Sequence, residues 1–404
     1  MDVDAARPTL PELYPTLFRQ YIQHSTQAAL EALRSAGPRL AAEQREQSLH
    51  TLEFALNLPA VWSEARSLLI SLAPRLDQAG LRQDAALFIR RGLAQCQAQE
   101  DAAGQAELEV QLGGLELAAG RMEQARELYQ ASAARFAALG DRHNQARALN
   151  NWAYLDFLQQ RSDSAARLVQ QALELATPSD SESTYGHFVL GCLAIERRAW
   201  AEALLFFQQA LAGWQRHDQP VLAARSLVNL GVAQRGLGHF DAAIDSFSQA
   251  IARLEELDDP VNQALARLNL GNLHWARGEP QQALALFQQA EPVFRQTGDD
   301  LRLARVNNSL GVVHLQLGQL EPARANLESS IVLSRQAGDR RLAANALDTL
   351  GELHLRLGEP AAALARHDQA LAELGDLVEQ PGYESLVADI QRHRQEALAA
   401  HSPP

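Results

Sequence analysis

Lysine is missing from this chain: every one of the 36 basic residues among its 404 is arginine. Chemistry that needs a lysine amine is thereby excluded, including Schiff-base catalysis, a Ser-Lys dyad and a P-loop phosphate lysine. Positive charge is also short, with 36 Arg against 49 Asp and Glu and a net charge of −13. Such a balance does not draw a polyanion to the surface, so nucleic acid is not expected as a ligand. Cysteine is nearly absent. Cys96 and Cys192 lie far apart without metal-ligand spacing, and both read as small buried hydrophobes. Nowhere do 18 apolar residues run together, and Met1 to Asp4 are acidic with no apolar leader core. The expectation is a soluble, cytoplasmic protein without membrane insertion.

Aromatics are only 6% of the chain, while Ala, Leu, Gln, Glu and Arg dominate. These residues favour helix, and the small ones let helices approach closely. A period of 40 residues orders them. Leu230-Gly231, Leu270-Gly271, Leu310-Gly311 and Leu350-Gly351 recur at that spacing, each followed seven residues later by Gly238, Gly278, Gly318 and Gly358. The register extends back through Leu190-Gly191, Trp152-Ala153, Leu112-Gly113 and Leu72-Ala73, with one 38-residue step between Ala153 and Gly191. In the second-glycine position these earlier copies carry Arg198, Gln160, Gly120 and Gly80.

Three further series keep the register. Ala85, Ala125, Ala165, Ala203, Ala243, Ala283, Ala323 and Ala363 form one, and Gly92, Ser132, Ala172, Ala210, Ala250, Ala290, Ser330 and Ala370 another. Between them runs a bulky series, Ile89, Tyr129, Val169, Phe207, Phe247, Phe287 and Leu327, broken by His367 in the last copy. Small residues at helical offsets open a gap that the bulky side chain fills. Each period reads as helix, short turn, helix. Around Gly271 the first helix is expected over about 260–277, with the turn at Gly278-Glu279 and a second helix from Pro280 to about 297. Asp101, Asp141, Asp259, Asp299 and Asp339 stand where they can cap the first helix of a period. The run from Pro178 to Ser183, close to the short step, predicts an irregularity near 176–184.

This order of Leu-Gly, Gly, Ala, bulky and small residues resembles the tetratricopeptide repeat. Its 40-residue length resembles the longer variety of LGN, kinesin light chains and bacterial sensor arrays, and the wording from Ala224 to Gly231 is close to the LGN-like one. The resemblance implies an all-α, right-handed α-solenoid superhelix of eight helix pairs. The organisation expected is an N-terminal helical cap over 1–60, then repeats over about 61–100, 101–140, 141–178, 179–218, 219–258, 259–298, 299–338 and 339–379. A C-terminal capping helix and tail take 380–404, and breakers stand at Gly37-Pro38, Leu58-Pro59 and Pro381-Gly382.

Residues with chemistry of their own are few. His274, His314 and His354 repeat at 40-residue spacing, but equivalent positions on stacked helices are on the order of 8–10 Å apart. Zinc needs its ligand nitrogens about 2 Å from the ion. These histidines are expected in inter-helix packing, where the resembled family carries an aromatic; a pH-sensitive part in stability is the alternative. Glu255-Glu256 and Asp258-Asp259 fall at a helix end, where solvation or capping accounts for them. No catalytic set, metal site or cofactor is expected.

In the resembled family the first helices line a concave groove. Carried onto this register, the groove would hold Arg147, Asn150 and Tyr154 in the third repeat, Tyr185 and Phe188 in the fourth, and Arg225 and Arg235 in the fifth. It would continue with Asn272 and Trp275, then Arg305 and Asn308, then Asn345 with Asp348, Glu352 and Arg356. Arg offers a fixed fork of donors to carboxylates, Asn can hold both groups of a peptide backbone, and aromatics anchor. The function expected is a non-catalytic scaffold or adaptor that binds a peptide segment of a partner protein, acidic in character. The alternative is a regulatory sensor, of the bacterial signalling kind, that takes a small peptide or metabolite and controls a separately encoded effector.

Overall fold

Three-residue links are short enough that their backbone conformation decides the fold. At the end of a first helix such as 260–276, the N–H of Gly278 bonds the carbonyl of Trp275 at 3.0 Å and that of Glu279 bonds His274 at 2.9 Å. This paired closure satisfies carbonyls the helix leaves unpaired, and it requires positive φ at the middle residue. Gly278 supplies it with φ of 77°, and Gly120, Gly238, Gly318 and Gly358 do the same in their copies. Gln160 and Arg198 adopt the same conformation with φ of 58° and 57°, so the turn survives there without glycine. The residue after the turn opens the next helix. Asp101, Asp141, Asp259, Asp299 and Asp339 each accept the N–H three residues on, at 2.9 to 3.1 Å, as their capping role requires.

The computed structural model describes residues 10–35, 41–78, 81–379 and 382–401. Gly37-Pro38, Gly80, Pro381 and the last three residues lie outside them. The described residues are helical with no strand, and none of the helices is long and apolar enough to cross a membrane. The chain forms two compact units, Met1–Leu193 and Ala194–Pro404.

The first unit holds α1 (Leu10–Ser35), α2 (Ala42–Ala55), α3 (Trp62–Gln78), α4 (Arg82–Ala98), α5 (Ala102–Ala118), α6 (Met122–Leu139), α7 (Arg142–Leu158), α8 (Ser162–Leu175) and most of α9 (Ser181–Glu196). Here α3/α4, α5/α6 and α7/α8 pack as pairs, each pair against the next, and α1 and α2 pack on α3. The step expected near 176–184 is present: α8 stops after 14 residues, Ala176 turns extended, and Asp180 accepts the Thr177 N–H at 2.7 Å.

The second unit continues with α10 (Trp200–Arg216), α11 (Pro220–Gly236), α12 (Phe240–Glu256), α13 (Pro260–Ala276), α14 (Pro280–Thr297), α15 (Asp300–Gln316), α16 (Leu320–Gln336), α17 (Arg340–Arg356), α18 (Pro360–Leu374) and α19 (Glu384–His401). Pairs α11/α12, α13/α14, α15/α16 and α17/α18 stack in chain order, and α11, α13, α15 and α17 also touch in sequence. The last helix, α19, packs on both α17 and α18 and buries Val387, Ile390 and Ala397. Each unit is thus an all-α solenoid of stacked helix pairs.

Within a pair the bulky series meets the small one. A Cβ placed on Gly271 would lie 2.5 Å from the ring of Phe287, and one on Gly231 would lie 2.8 Å from Phe247. Both rings are fully buried. In the last pair the ring against Gly351 is the imidazole of His367, also fully buried.

Candidate functional site

The first helices of the last three repeats and the C-terminal helix line an open cavity of about 890 Å³. From α13 come Asn272 and Trp275; from α15, Asn308, Ser309 and Val312; from α17, Asn345, Asp348, Glu352 and Arg356; from α19, Leu386, Asp389, Arg392 and His393. The heptad-like spacing of α17 accounts for its share, because 345, 348, 352 and 356 fall on one helix face. A smaller cavity of about 340 Å³ is bordered by Arg305, Asp339, Arg341 and Asn345.

One wall is amide. Asn272, through its side-chain oxygen, accepts from Ser309 at 3.1 Å. Asn308 is 8% exposed, and its side-chain oxygen has no hydrogen-bond partner. A buried amide oxygen left open is costly, on the order of 1–3 kcal/mol. Trp275 at the end of α13 keeps 43% of its surface exposed, an apolar face beside these amides. Beside the amides, α17 and α19 contribute ionic groups. Buried Asp348 accepts at 2.8 Å from Nδ1 of His367 and, through its other oxygen, at 2.8 Å from Nδ1 of His393. Glu352 lies 3.7 Å from the same His393 nitrogen. Burial holds the Glu352 carboxyl above its ordinary range; His393 pulls it down and Asp348 pushes it up. Arg356 donates to the carbonyl of Leu315, and Arg392 to Asp389 at 2.9 Å.

Of the groove residues expected from the register, Asn272, Trp275, Asn308 and Asn345 meet at this cavity. Arg305 stands at the smaller one and pairs with Asp339 at 3.8 Å. Arg225 and Arg235 border neither, and burial lowers the pKa of Arg235. The remaining candidates belong to the first unit and make contacts there. Arg147 is ion-paired with Glu107. Asn150 is fully buried and donates to the carbonyl of Glu182 at 2.8 Å and to its carboxylate at 3.2 Å, so it braces α7 against α9 and presents nothing outward. Tyr154, Tyr185 and Phe188 form a ladder of rings with centroids 6.4 and 6.2 Å apart, and Phe188 is buried.

Beyond inter-helix packing, the histidines at 40-residue spacing each have a polar partner. Nδ1 of His274, His314 and His354 lies 2.6, 2.6 and 2.7 Å from the side chains of Glu279, Gln319 and Glu359, each five residues on. The imidazoles thereby clasp the turn, and the bond to His274 is the main cause that holds Glu279 below its ordinary pKa. His393 lies outside the repeat register, so the 40-residue spacing does not bring it to Asp348. Its signal is indirect: His367 breaks the bulky apolar series, and a buried imidazole needs an acidic or carbonyl partner. Burial also pushes the Cys96 thiol up to about 12, in keeping with an inert hydrophobe.

The tetratricopeptide repeat profile matches residues 104–177, 262–336 and 302–372, and a second profile of the same description matches 224–253. The chain belongs to the tetratricopeptide repeat family. Its solved structural neighbours share that architecture. A Rap protein complexed with Competence and Sporulation Factor aligns with a TM-score of 0.56 at 14% identity, over 94% of this chain and 97% of that one. Aspartyl phosphate phosphatase F from Bacillus subtilis gives 0.55 at 14% identity, over 84% and 96%. A signal transduction ATPase with numerous domains and a tetratricopeptide repeat sensor, from Pyrococcus horikoshii, gives 0.58 at 15% identity, over 89% of this chain and 55% of that one. At such identities the likeness is one of fold. No curated protein matches the sequence significantly.

Proposed function

We propose that this repeat protein is a cytoplasmic, non-catalytic adaptor whose second unit binds an extended peptide segment of a partner protein in the cavity between α13, α15, α17 and α19. The observation that carries the reading is the amide wall: Asn272, Asn308 and Asn345 come from three successive first helices and border one cavity beside the half-exposed Trp275. A chain running across those helices meets a side-chain amide at each, and an amide can accept from a backbone N–H and donate to a backbone carbonyl. The indole supplies apolar anchorage, which dominates binding energy when it becomes buried. Arg356 and Arg392 at the rim supply planar donors for acidic side chains, while the overall charge of −13 disfavours nucleic acid.

The test is a comparative capture from native cell extract with wild type and the Asn308→Ala/Asn345→Ala variant. A defined set of proteins retained by wild type and reduced at least tenfold with the variant supports the reading, and identical sets sink it. A regulatory sensor is the second reading. It draws on the neighbours: one is solved with Competence and Sporulation Factor bound, another carries its tetratricopeptide repeats as a sensor. In that case small-angle scattering shows compaction on adding peptide extract, and an unmoved profile counts against it.

A further inference from the structure

The carboxylates and the imidazole among the ionic groups of the cavity do not serve the peptide reading, and their chemistry differs from that of the amides. Asp348 and Glu352 stand one helical turn apart on α17, and His393 comes from α19. One donor atom from each lies within 4.8 Å of the others. We propose that Asp348, Glu352 and His393 form a site for one divalent transition-metal cation of the zinc class.

The geometry is close to what such an ion demands. Carboxylate oxygens and imidazole nitrogens bind zinc at about 2.0–2.2 Å, which sets neighbouring donors roughly 3–3.5 Å apart. The two separations from His393 Nδ1, 2.8 Å to Asp348 and 3.7 Å to Glu352, bracket that span. An imidazole ligand beside two carboxylates suits zinc and cations of its class over magnesium and calcium, which take oxygen ligands. All three residues border the cavity, so a further coordination position faces solvent.

The surroundings favour a cation as well. His367, fully buried, holds Asp348 from behind through Nδ1, the arrangement by which an outer imidazole or carboxylate orients a metal ligand. Arg356 is directed to the Leu315 carbonyl, and Arg392 reaches Asp389 and the far nitrogen of the His393 ring, not the nitrogen that faces the carboxylates. Two carboxylates and a neutral imidazole balance a charge of +2. Arg392 also lies 3.2 Å from Nε2 of His393, so in the free protein the ring proton sits on Nδ1 and faces Asp348. Metal binding at Nδ1 moves that proton to Nε2 and releases the Arg392 contact, and the ion then ties α19 to α17.

The inference stands apart from the peptide reading, because metal uptake is measured on the full chain with no peptide present. Chelator-treated protein is titrated with Zn²⁺ against a chromophoric competitor, and with Co²⁺ while its visible absorption is recorded. One equivalent with micromolar or tighter affinity is expected, and Co²⁺ bands of low coordination number. His393→Ala is expected to weaken Zn²⁺ binding at least tenfold. Glu352→Gln does the same while keeping the side-chain shape, so the test stays decisive if His393→Ala loosens α19. His367→Phe restores the ring type of the register and is expected to weaken binding about 10–100-fold through loss of outer support alone. His274→Ala, at the turn clasp, leaves binding unchanged. Failure to bind one equivalent, or binding equal in wild type, His393→Ala and Glu352→Gln, overturns the site; the imidazole of His393 then bridges the two carboxylates as a proton-carrying clasp.

Discussion

At the residue scale, the turns without glycine carry a cost that the sequence makes removable. Gln160 and Arg198 sit with φ near +58°, a conformation that costs a residue with a Cβ about 1–2 kcal/mol. Glycine relieves that strain but adds about 0.5–1 kcal/mol of entropy to the unfolded chain. Gln160→Gly is therefore expected to stabilise the protein by roughly 0.5–1 kcal/mol, read as a rise in the urea midpoint at constant slope. Asp101 makes the opposite case. It accepts from Gly104 N–H at 2.9 Å, from the Trp62 indole at 2.9 Å and from Arg66 at 2.6 Å. Burial alone would raise its carboxyl, yet these donors together hold it below the ordinary range. A depressed folded pKa means stability that is present above the ordinary carboxylate pKa and lost as pH falls through the folded one. Asp101→Asn is expected to cost about 1.5–3 kcal/mol at pH 7, and its urea midpoint should converge on that of wild type in acid. The capping register made Asp101 readable from sequence; its link to Trp62 and Arg66, 39 and 35 residues away, was not, because neither lies in a repeated position.

Elements follow from paired residues across one turn. Where the first helix carries Gly271 the second carries Phe287, whereas Ala153 is matched with Val169 and Ala73 with Ile89. The larger the side chain from the second helix, the smaller the residue it meets. Gly271→Ala puts a methyl 2.5 Å from the Phe287 ring, and overpacking of this kind costs about 1–3 kcal/mol. Combining it with Phe287→Val reproduces the Ala153/Val169 match, so the double variant should be more stable than the sum of the singles by over about 0.5 kcal/mol. Thermal unfolding of the four proteins checks this. The helix boundaries were legible for the same reason: α13 and α14, at Pro260–Ala276 and Pro280–Thr297, fall within a residue of the expected 260–277 and 280–297. The irregular step near 176 was also visible, through the 38-residue spacing and the Pro178 run. What periodicity could not give was α19 over the cavity. The contact of His393 with Asp348 joins residues 45 apart, one of them outside the repeat.

On the scale of the whole molecule, arginine is the only fixed cation available, and much of it is used internally. Arg147 pairs with Glu107, Arg135 with Glu109 and Arg340 with Asp376. The exposed pair among them, Arg340 with Asp376, contributes little to stability. The absence of lysine thus bears on recognition through two groups that line the cavity: Arg356, which the register also placed in the groove, and Arg392, which lies outside the repeats. Arg225→Ala with Arg305→Ala should accordingly change partner capture less than Asn308→Ala with Asn345→Ala. The most direct test of peptide binding in the second unit is site-specific photo-crosslinking in native extract. A photoreactive residue at Trp275, facing the cavity, is compared with one at Val332, exposed on α16 outside the cavity lining. The account predicts a discrete crosslink to a partner peptide from position 275 that is absent from position 332 and suppressed by Asn308→Ala/Asn345→Ala. Equal crosslinking from both positions, or a crosslink at 275 indifferent to the asparagines, would contradict it.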